Sequence, residues 1–319
     1  SGTTFTRSGG FTNSATGIIS GAGTVSVGGG ANLLTNNGII RPGGAGTAGG
    51  LNLTGSITFG AGAVLEIDLA GTTPLTQHDQ FNVTGTTVTL GGNLNVIELA
   101  GYKARFSDGT YVVLNNTGTV GGSFAAINAT VSGGAATFGA ANTGTTAGIN
   151  LTSGTTSYIA TGASNWNIGG NWDRGTPTAN ADAIIDLGSG PNTITINTAE
   201  SARSLTVTSP GGGANINTVA MTGGSLALTQ NSSLDANSIL SLTGGSLGGA
   251  GSLTANGAVT LGGASFTGAG ALNTAGTTTL NGSPVFNGAV IWNNSGTVDI
   301  GGADRIQMYN GAVVNNLAG

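Results

Sequence analysis

Residues 240–266 read LSLTGGSLGGAGSLTANGAVTLGGASF and contain the pattern that decides the fold. Leu240 and Leu242 are two residues apart, and the same apolar pair returns as Val259 and Leu261. A spacing of two is the period of a β-strand, in which alternate side chains point to the same face. The sequence therefore predicts a short strand at each copy of the pair.

This pair continues in both directions along the chain. Its copies are Val219/Met221, Leu240/Leu242, Val259/Leu261, Thr278/Leu280 and Val298/Ile300, and their second members are almost evenly spaced. A second apolar column with nearly the same spacing contains Leu226, Leu247, Phe266, Phe286 and Ile306. Two columns with one period predict an all-β chain folded as a parallel β-helix (β-solenoid), with rungs of about 20 residues. We expect Leu242, Leu261, Leu280 and Ile300 to form one inward stack.

Glycine-rich corners separate the strands. Residues 222–225 and 243–246 both read TGGS, and each follows an apolar pair. Glycine permits a positive φ without steric penalty, so we expect sharp bends at these positions.

The composition supports an ordered chain and excludes several classes of protein. The 319 residues include 62 Gly, 6 Pro and no Cys, and only 6% are charged. Collagen requires Gly at every third position with abundant Pro, and disorder requires low hydrophobicity, whereas 38% of these residues are hydrophobic. The 7 basic residues form no cluster for nucleic acid, and no apolar run is long enough for membrane insertion as a helix.

The N-terminal region repeats more loosely. Thr12-Asn13 recurs as Thr35-Asn36, and Ile18-Ile19 recurs as Ile39-Ile40. From about residue 51 the chain alternates apolar and polar residues without a fixed period. In the strand at 64–69, the alternation predicts that Glu66 and Asp68 face water.

Two of the three tryptophans, Trp166 and Trp172, lie between these regions. We interpret them as an aromatic joint that covers an apolar end of a solenoid, and the alternative is an aromatic platform for a glycan. The predicted organisation is a first β-solenoid segment at 1–155, a Trp-containing joint at 156–180, and a second segment at 181–319.

Several motifs resemble the passenger regions of bacterial autotransporters and filamentous-haemagglutinin-like β-helix adhesins. The corner sequences are GAGTV at 21–25 and NNSG at 293–296. The segment that closes such passengers is similar to AVLEIDL (63–69), DQFNVTG (79–85), LGGNLNV (90–96) and GTYVVL (109–114). The resemblance implies a right-handed β-helix exposed at the bacterial cell surface or secreted, with adhesive or structural roles.

One group of polar residues invites a catalytic interpretation: His78, Asp79, Lys103, Arg105 and Asp108. We expect all five on surface loops, with the neighbouring side chains of His78 and Asp79 pointing to opposite faces. The chain lacks a nucleophile-elbow motif for its single His, and its Gly-x-Gly stretches open no helix. The sequence therefore predicts no catalytic residue, no cofactor and no metal site.

An ice-binding solenoid would require a threonine ladder on one face. The outward positions between the apolar pairs are instead Ala220, Ser241, Thr260, Thr279 and Asp299, which disfavours that function. We expect a non-enzymatic extracellular β-solenoid that is a stalk or building block of a surface fibre, filament or adhesin. The alternative is a module that binds a glycan or another component of a host surface.

Neither end of the sequence resembles a cap. Residues 287–291 (NGAVI) recur as 310–314 (NGAVV), so the last residues continue the repeat. We expect end-to-end self-association through Ser1, Gly2, Thr3, Val313, Val314 and Gly319, or covalent tandem repeats of such segments.

Overall fold

The computed structural model describes residues 2–29, 32–211, 213–301 and 304–317. It is all-β, as the sequence predicts. Parallel coils, which are the predicted rungs, stack into a β-solenoid of about 13 coils with about 23 residues in each. The chain divides into two compact units, Ser1–Ser153 and Gly154–Gly319, each with its own hydrophobic core. The only helix in the described residues is a 3-10 turn at Gly169–Asn171, too short to cross a membrane.

Three parallel sheets, A, B and C, form the sides of each coil in the first unit. The strands are β1 Thr4–Thr6, β2 Phe11–Asn13, β3 Ile18–Gly21, β4 Thr24–Ser26, β5 Leu33–Asn36, β6 Ile39–Pro42, β7 Gly50–Thr54, β8 Ser56–Phe59, β9 Val64–Leu69, β10 Gln80–Thr84, β11 Thr87–Leu90, β12 Asn93–Glu98, β13 Tyr111–Asn116, β14 Thr119–Gly122, β15 Ala126–Thr130, β16 Ala136–Ala140 and β17 Thr146–Ser157. Sheet A contains β1-β4-β7-β10-β13, sheet B β2-β5-β8-β11-β14 and sheet C β3-β6-β9-β12-β15.

The second unit begins within β17, and three rows of parallel strands form the sides of its coils. We call them sheets D, E and F, where sheet D is the continuation, from β19 onward, of the 14-stranded sheet that begins with sheet A. The strands of the second unit are β18 Ala163–Asn165, β19 Ala181–Asp186, β20 Asn192–Ile196, β21 Ala199–Ala202, β22 Ser204–Thr208, β23 Asn217–Met221, β24 Ser225–Leu228, β25 Ser232–Leu234, β26 Ile239–Leu242, β27 Ser246–Gly248, β28 Leu253–Ala255, β29 Ala258–Leu261, β30 Ser265–Phe266, β31 Ala271–Thr274, β32 Thr278–Leu280, β33 Val285–Asn287, β34 Ile291–Asn294, β35 Val298–Ile300, β36 Gln307–Tyr309 and β37 Val313–Asn316. Sheet D contains β19-β22-β25-β28-β31-β34-β37, sheet E β18-β20-β23-β26-β29-β32-β35 and sheet F β21-β24-β27-β30-β33-β36.

The strand register confirms the first apolar column, with one exception in burial. Leu242, Leu261 and Leu280 are successive partners in sheet E and are at most 2% exposed. Ile300 pairs with Leu280 as predicted, yet 58% of its surface is exposed. Ile300 therefore belongs to the predicted stack but lies at its exposed end, because β35 is the last strand of sheet E in the described residues and only one of its sides is covered.

The strand register also confirms the second apolar column, except for its last member, Ile306. Leu226, Leu247, Phe266 and Phe286 are successive partners in sheet F, but the partner of Phe286 is Met308 and not Ile306. A shift of two residues keeps the same face of the strand, because side chains alternate. Ile306 still packs, partly buried, against the core.

Coil length differs between the two units. Successive partners in sheet D from Ser232 onward are almost evenly spaced along the chain (Ser232, Leu253, Leu272, Trp292 and Val314). The predicted rung of about 20 residues therefore describes this region. In sheet A, Leu51 pairs with Phe81 and Phe81 pairs with Leu114. These coils are longer, at roughly 30 residues each, which is still within the range of solenoid repeats.

The predicted repeats near the N-terminus are confirmed by the register. Thr12 pairs with Thr35 in sheet B, and Ile18 pairs with Ile39 in sheet C. The looser repetition of this region in the sequence therefore still corresponds to residues that stack on each other in successive coils.

Two predicted corners require glycine. Gly224 and Gly245 have φ of +59° and +76°, in the left-handed region that side chains disfavour. A Cβ at Gly245 would lie 2.4 Å from the carbonyl oxygen of Gly223 on the preceding coil. The close approach of successive coils and the bend therefore both exclude a side chain there.

Buried asparagines form ladders between coils. Asn13 donates from Nδ2 to Oδ1 of Asn36 at 2.7 Å, and Asn192 donates in the same way to Asn217 at 2.8 Å. Asn side chains at equivalent positions can bond to each other because successive parallel strands place them about 4.8 Å apart. The ladders satisfy polar groups that burial would otherwise penalise.

A non-repetitive hairpin closes the core of the first unit beyond its last regular coil. β16 pairs with β17, and Thr146–Ile149 of β17 run antiparallel to β13 instead of parallel. Phe138, Ile149 and Leu151 of this hairpin are buried in the core of the unit. The change from parallel to antiparallel pairing interrupts the run of parallel strands, and the hairpin covers the apolar side chains of the core.

The register predicts opposite outcomes for two neighbouring substitutions. Leu261 is fully buried in the stack, so Leu261→Asp buries an unpaired charge and should lower the free energy of unfolding by about 3–5 kcal/mol. Thr260 lies on the outer face, where Thr260→Asp should cost about 0.5 kcal/mol or less. Urea unfolding followed by circular dichroism measures both, and equal losses would contradict this register.

Candidate functional site

Three loops at one corner of the first unit bring together the ionisable side chains singled out by the sequence. Residues 43–49, 70–79 and 99–110 each connect a strand of sheet C to the next strand of sheet A. They therefore occupy the same corner in successive coils. We call this region the loop corner, and a catalytic group of this chain would be expected there.

Asp79 at the loop corner is fully buried and holds the first loop in place. Its Oδ1 accepts a hydrogen bond from the backbone N–H of Gly49 at 2.7 Å, and its Oδ2 accepts one from the N–H of Asp68 at 3.0 Å. The Asp68 carboxylate, 1% exposed, accepts a hydrogen bond from the N–H of Thr47 at 3.0 Å. The predictions that Asp68 faces water and that Asp79 lies on a surface loop were wrong, because backbone donors of loop 43–49 replace water.

Burial changes the proton affinity of this pair. Desolvation raises the pKa of Asp79 to about 7, and the charges of Asp68 and Glu66 add to the rise while the two N–H donors oppose it. Desolvation also raises the pKa of Asp68. Arg41 forms an ion pair with Glu66, and its charge opposes the rise in the pKa of Asp68. Burial therefore moves the titration of Asp79 from acidic toward neutral pH, although its carboxylate accepts two backbone hydrogen bonds.

His78 is buried as well, and it faces a different coil. Its imidazole packs edge-to-face on Tyr111 of β13 with ring centroids 5.5 Å apart. Neither ring nitrogen makes a hydrogen bond of normal geometry. Burial lowers the pKa of His78, against a smaller effect of the backbone of Val112 and Gly71. The predicted surface position of His78 was wrong, since only 1% of the residue is exposed.

The third loop is anchored by a cluster of tyrosine and aspartate. The hydroxyls of Tyr102 and Tyr111 donate to Oδ2 of Asp108 at 2.8 and 2.5 Å and lie 2.6 Å from each other. Desolvation and the hydrogen bonds of this cluster raise the pKa of Tyr111. Asp108 lies on the predicted loop, together with the half-buried Lys103 and Arg105.

Glu98 repeats the pattern seen at Asp79. Its Oε1 accepts a hydrogen bond from the N–H of Ala104 at 2.8 Å, and its Oε2 accepts one from the N–H of Ser132 at 2.9 Å. Throughout the described ranges, no group of three or more His, Cys, Asp or Glu is arranged to hold a metal ion. The carboxylates of Asp68, Asp79 and Glu98 thus accept hydrogen bonds from backbone N–H groups, and these bonds anchor the loops.

The predicted aromatic joint lies in the core of the second unit. Trp166 and Trp172 are fully buried, with ring centroids 4.7 Å apart, and Trp172 donates from Nε1 to the carbonyl of Trp166 at 2.8 Å. Tyr158 packs edge-to-face on Trp172 at 5.0 Å. Because neither indole presents a face to solvent, they offer no platform on which a sugar ring could stack.

The described residues predicted for end-to-end contact lie on or beside two coils, β1–β3 and β35–β37. We call these the open coils, because within the described residues each has a neighbouring coil on one side only. Gly2 and Thr3 are exposed and precede β1, whereas Ser1 and Gly319 lie outside the described residues. Val313 is 42% exposed and Val314 is half-buried. A cavity of about 590 Å³ opens at the coil of β1–β3, and one of about 170 Å³ opens at the coil of β35–β37.

No known protein family, characterised protein or solved structure matches this chain. The likeness to autotransporter passengers and haemagglutinin-like adhesins therefore remains a resemblance of motifs, and the fold supports its coarser element, a β-helix.

Asp79→Asn should change how stability depends on pH. The folded chain holds the proton of Asp79 up to about pH 7, whereas an unfolded Asp releases it near pH 4. Since the folded state then binds more protons, this group makes stability fall between those pH values, by up to ~1.4 kcal/mol per pH unit. The free energy of unfolding of the unmodified chain minus that of Asp79→Asn should therefore decrease from pH 4 to pH 7.

Subtracting the free energy of unfolding of Asp79→Asn from that of the unmodified chain at each pH isolates the contribution of Asp79, because His78 is present in both proteins. Asp299→Asn, the same change on the exposed outer face of β35, is the control. A difference between the unmodified chain and Asp79→Asn that stays constant across this range would contradict the assigned role of burial.

Proposed function

We propose that this chain is a non-enzymatic structural β-solenoid, a stalk or building block of an extracellular fibre, filament or adhesin. The observation that carries the proposal is that ionisable side chains at the loop corner are buried and bound to backbone groups. His78 and Asp79 are buried, and the carboxylates of Asp79 and Glu98 accept hydrogen bonds from backbone N–H groups. Groups engaged in this way maintain loops and do not face a substrate.

The ladders between coils suit a load-bearing role. On the outer face of sheet D, Asn273, Asn293 and Asn315 are linked by Nδ2-to-Oδ1 hydrogen bonds of 2.9 and 2.8 Å. Inside the same coils, Phe286 stacks on Phe266 at 4.5 Å and on Trp292 at 5.6 Å, with the rings nearly parallel. Successive coils are thus joined through backbone, amide and aromatic contacts together, which favours a stack that resists separation of its coils.

An extracellular position follows from the resemblance to secreted bacterial β-helices, and it is part of the proposal. Antibody labelling of intact cells tests it, with permeabilised cells as the control. Signal only after permeabilisation would contradict a surface location. Electron microscopy of the negatively stained native assembly distinguishes a fibre from a discrete binding domain.

A glycan-binding module is the second candidate, and one observation favours it. Residues 236–298 contain no charged side chain, and the outer face there presents amide and hydroxyl groups such as Thr254 and Asn273. Such a surface suits an uncharged polysaccharide better than an acidic one or a nucleic acid. Retention on insoluble neutral polysaccharides, lost in Asn273→Asp, would favour this candidate over the purely structural one.

We further propose that the open coils are continued by other coils, supplied by a second copy or by covalent tandem repeats. The support is chemical: both coils expose apolar side chains and strand edges whose backbone groups lack a neighbouring strand in the described part of the chain. Exposed edges of this kind bind further strands.

Incubation with polysaccharides, esters and peptides is expected to give no turnover attributable to the chain. The unmodified protein is compared with His78→Ala and Asp79→Ala. These variants remove the two neighbouring residues whose side-chain types would best suit a catalytic pair. Product formation that disappears in either variant, while circular dichroism shows the fold intact, would overturn the non-enzymatic proposal.

A further inference from the structure

The two open coils expose side chains that belong to the inward columns. Phe5 pairs with Val25, which is 7% exposed, yet Phe5 itself is 55% exposed. At the other open coil, Ile300 and Met308 are 58% and 45% exposed, although their partners Leu280 and Phe286 are buried. These side chains occupy core positions that no further coil covers within the described residues.

In the coil of β1–β3, the inward residues have the same spacing along the chain as in a regular coil of the second unit. Its inward residues and those of the coil of β31–β33 follow one another at the same intervals of six, eight and six residues. They are Phe5, Phe11, Ile19 and Val25 in the first case and Leu272, Thr278, Phe286 and Trp292 in the second. The open coil of β35–β37 keeps two of these intervals and has two more residues between Val298 and Met308.

We propose that the open coil of β35–β37 docks on the open coil of β1–β3 of a second copy of this chain. The matched intervals place β37 on β1, β35 on β2 and β36 on β3, all parallel. The docked copy would place Phe5 on Val314, Phe11 on Val298 and Ile19 on Met308. Its Asn13 would then cover Ile300. This inference rests on the proposed structural function and names its partner.

The chemistry of the two faces is compatible with this contact. Residues 2–21 contain one charged side chain, Arg7, whereas residues 291–317 contain Asp299, Asp304 and Arg305, so the two faces have net charges of opposite sign. All three strand edges on each face gain backbone partners on docking. The two surfaces differ from each other, so the contact is heterologous and joins copies head to tail.

Two substitutions at exposed positions block one face each without burying a charge in the free chain. Phe5→Asp blocks the first face, and Ile300→Asp blocks the second. Thr89→Asp, at an exposed outward position of sheet B, is the control. Circular dichroism verifies that each variant keeps its strands, and sedimentation velocity measures mass over a range of concentrations.

The unmodified chain and Thr89→Asp should grow in mass with concentration, whereas each blocked variant alone should remain at 30.6 kDa. An equimolar mixture of the two blocked variants should reach twice this mass and no more, because each supplies the face that the other lacks. A monomeric unmodified chain, a blocked variant that dimerises alone, or a mixture that stays monomeric would each overturn the docking. The non-enzymatic proposal fails separately, by turnover that His78→Ala or Asp79→Ala abolishes.

Discussion

The stacking of each coil on its neighbour is the constraint on which this structure depends. A coil is too thin to enclose a core, so its inward side chains are buried only when a second coil lies above or below. Parallel backbone hydrogen bonds fix the register between coils, and equivalent residues then meet at every step. The stacked rings of Phe266 and Phe286 and the paired amides of Asn13 and Asn36 are consequences of this repetition.

The sequence predicted the second unit better than the first because only there is the coil length nearly constant. From Ser232 onward, a fixed interval makes both apolar columns visible without a structure. In the first unit, loops of different length separate β6 from β7, β9 from β10 and β12 from β13, so the register survives while the period disappears. The error at Ile306 has the same origin, since two extra residues moved the register partner of Phe286 to Met308.

Burial at the loop corner escaped prediction for a different reason. Alternation along a strand assigns one face to water, and this rule placed Asp68 outside. The rule does not foresee that the chain returns over that face, as loop 43–49 does when its N–H groups bind Asp68 and Asp79. Residues 42–50 read PGGAGTAGG, a run with small side chains and many backbone donors. Such a run needs acceptors, and buried carboxylates on the neighbouring strands provide them.

The same reasoning separates the ends of a solenoid that are closed from those that are open. Where the regular parallel pairing is interrupted, the chain departs from the repeat. Phe138 and Leu151 cover one core from a hairpin, and Trp166 and Trp172 pack into the other core from an irregular segment. Neither the hairpin nor the tryptophan segment resembles a repeat. A repeat would present a new apolar face for the next coil, whereas a cap must cover apolar side chains without presenting one. The coils of β1–β3 and β35–β37 instead keep the repeat and expose its inward residues. A coil that keeps the repeat is suited to bind another coil, whereas a segment that abandons the repeat is suited to end the stack.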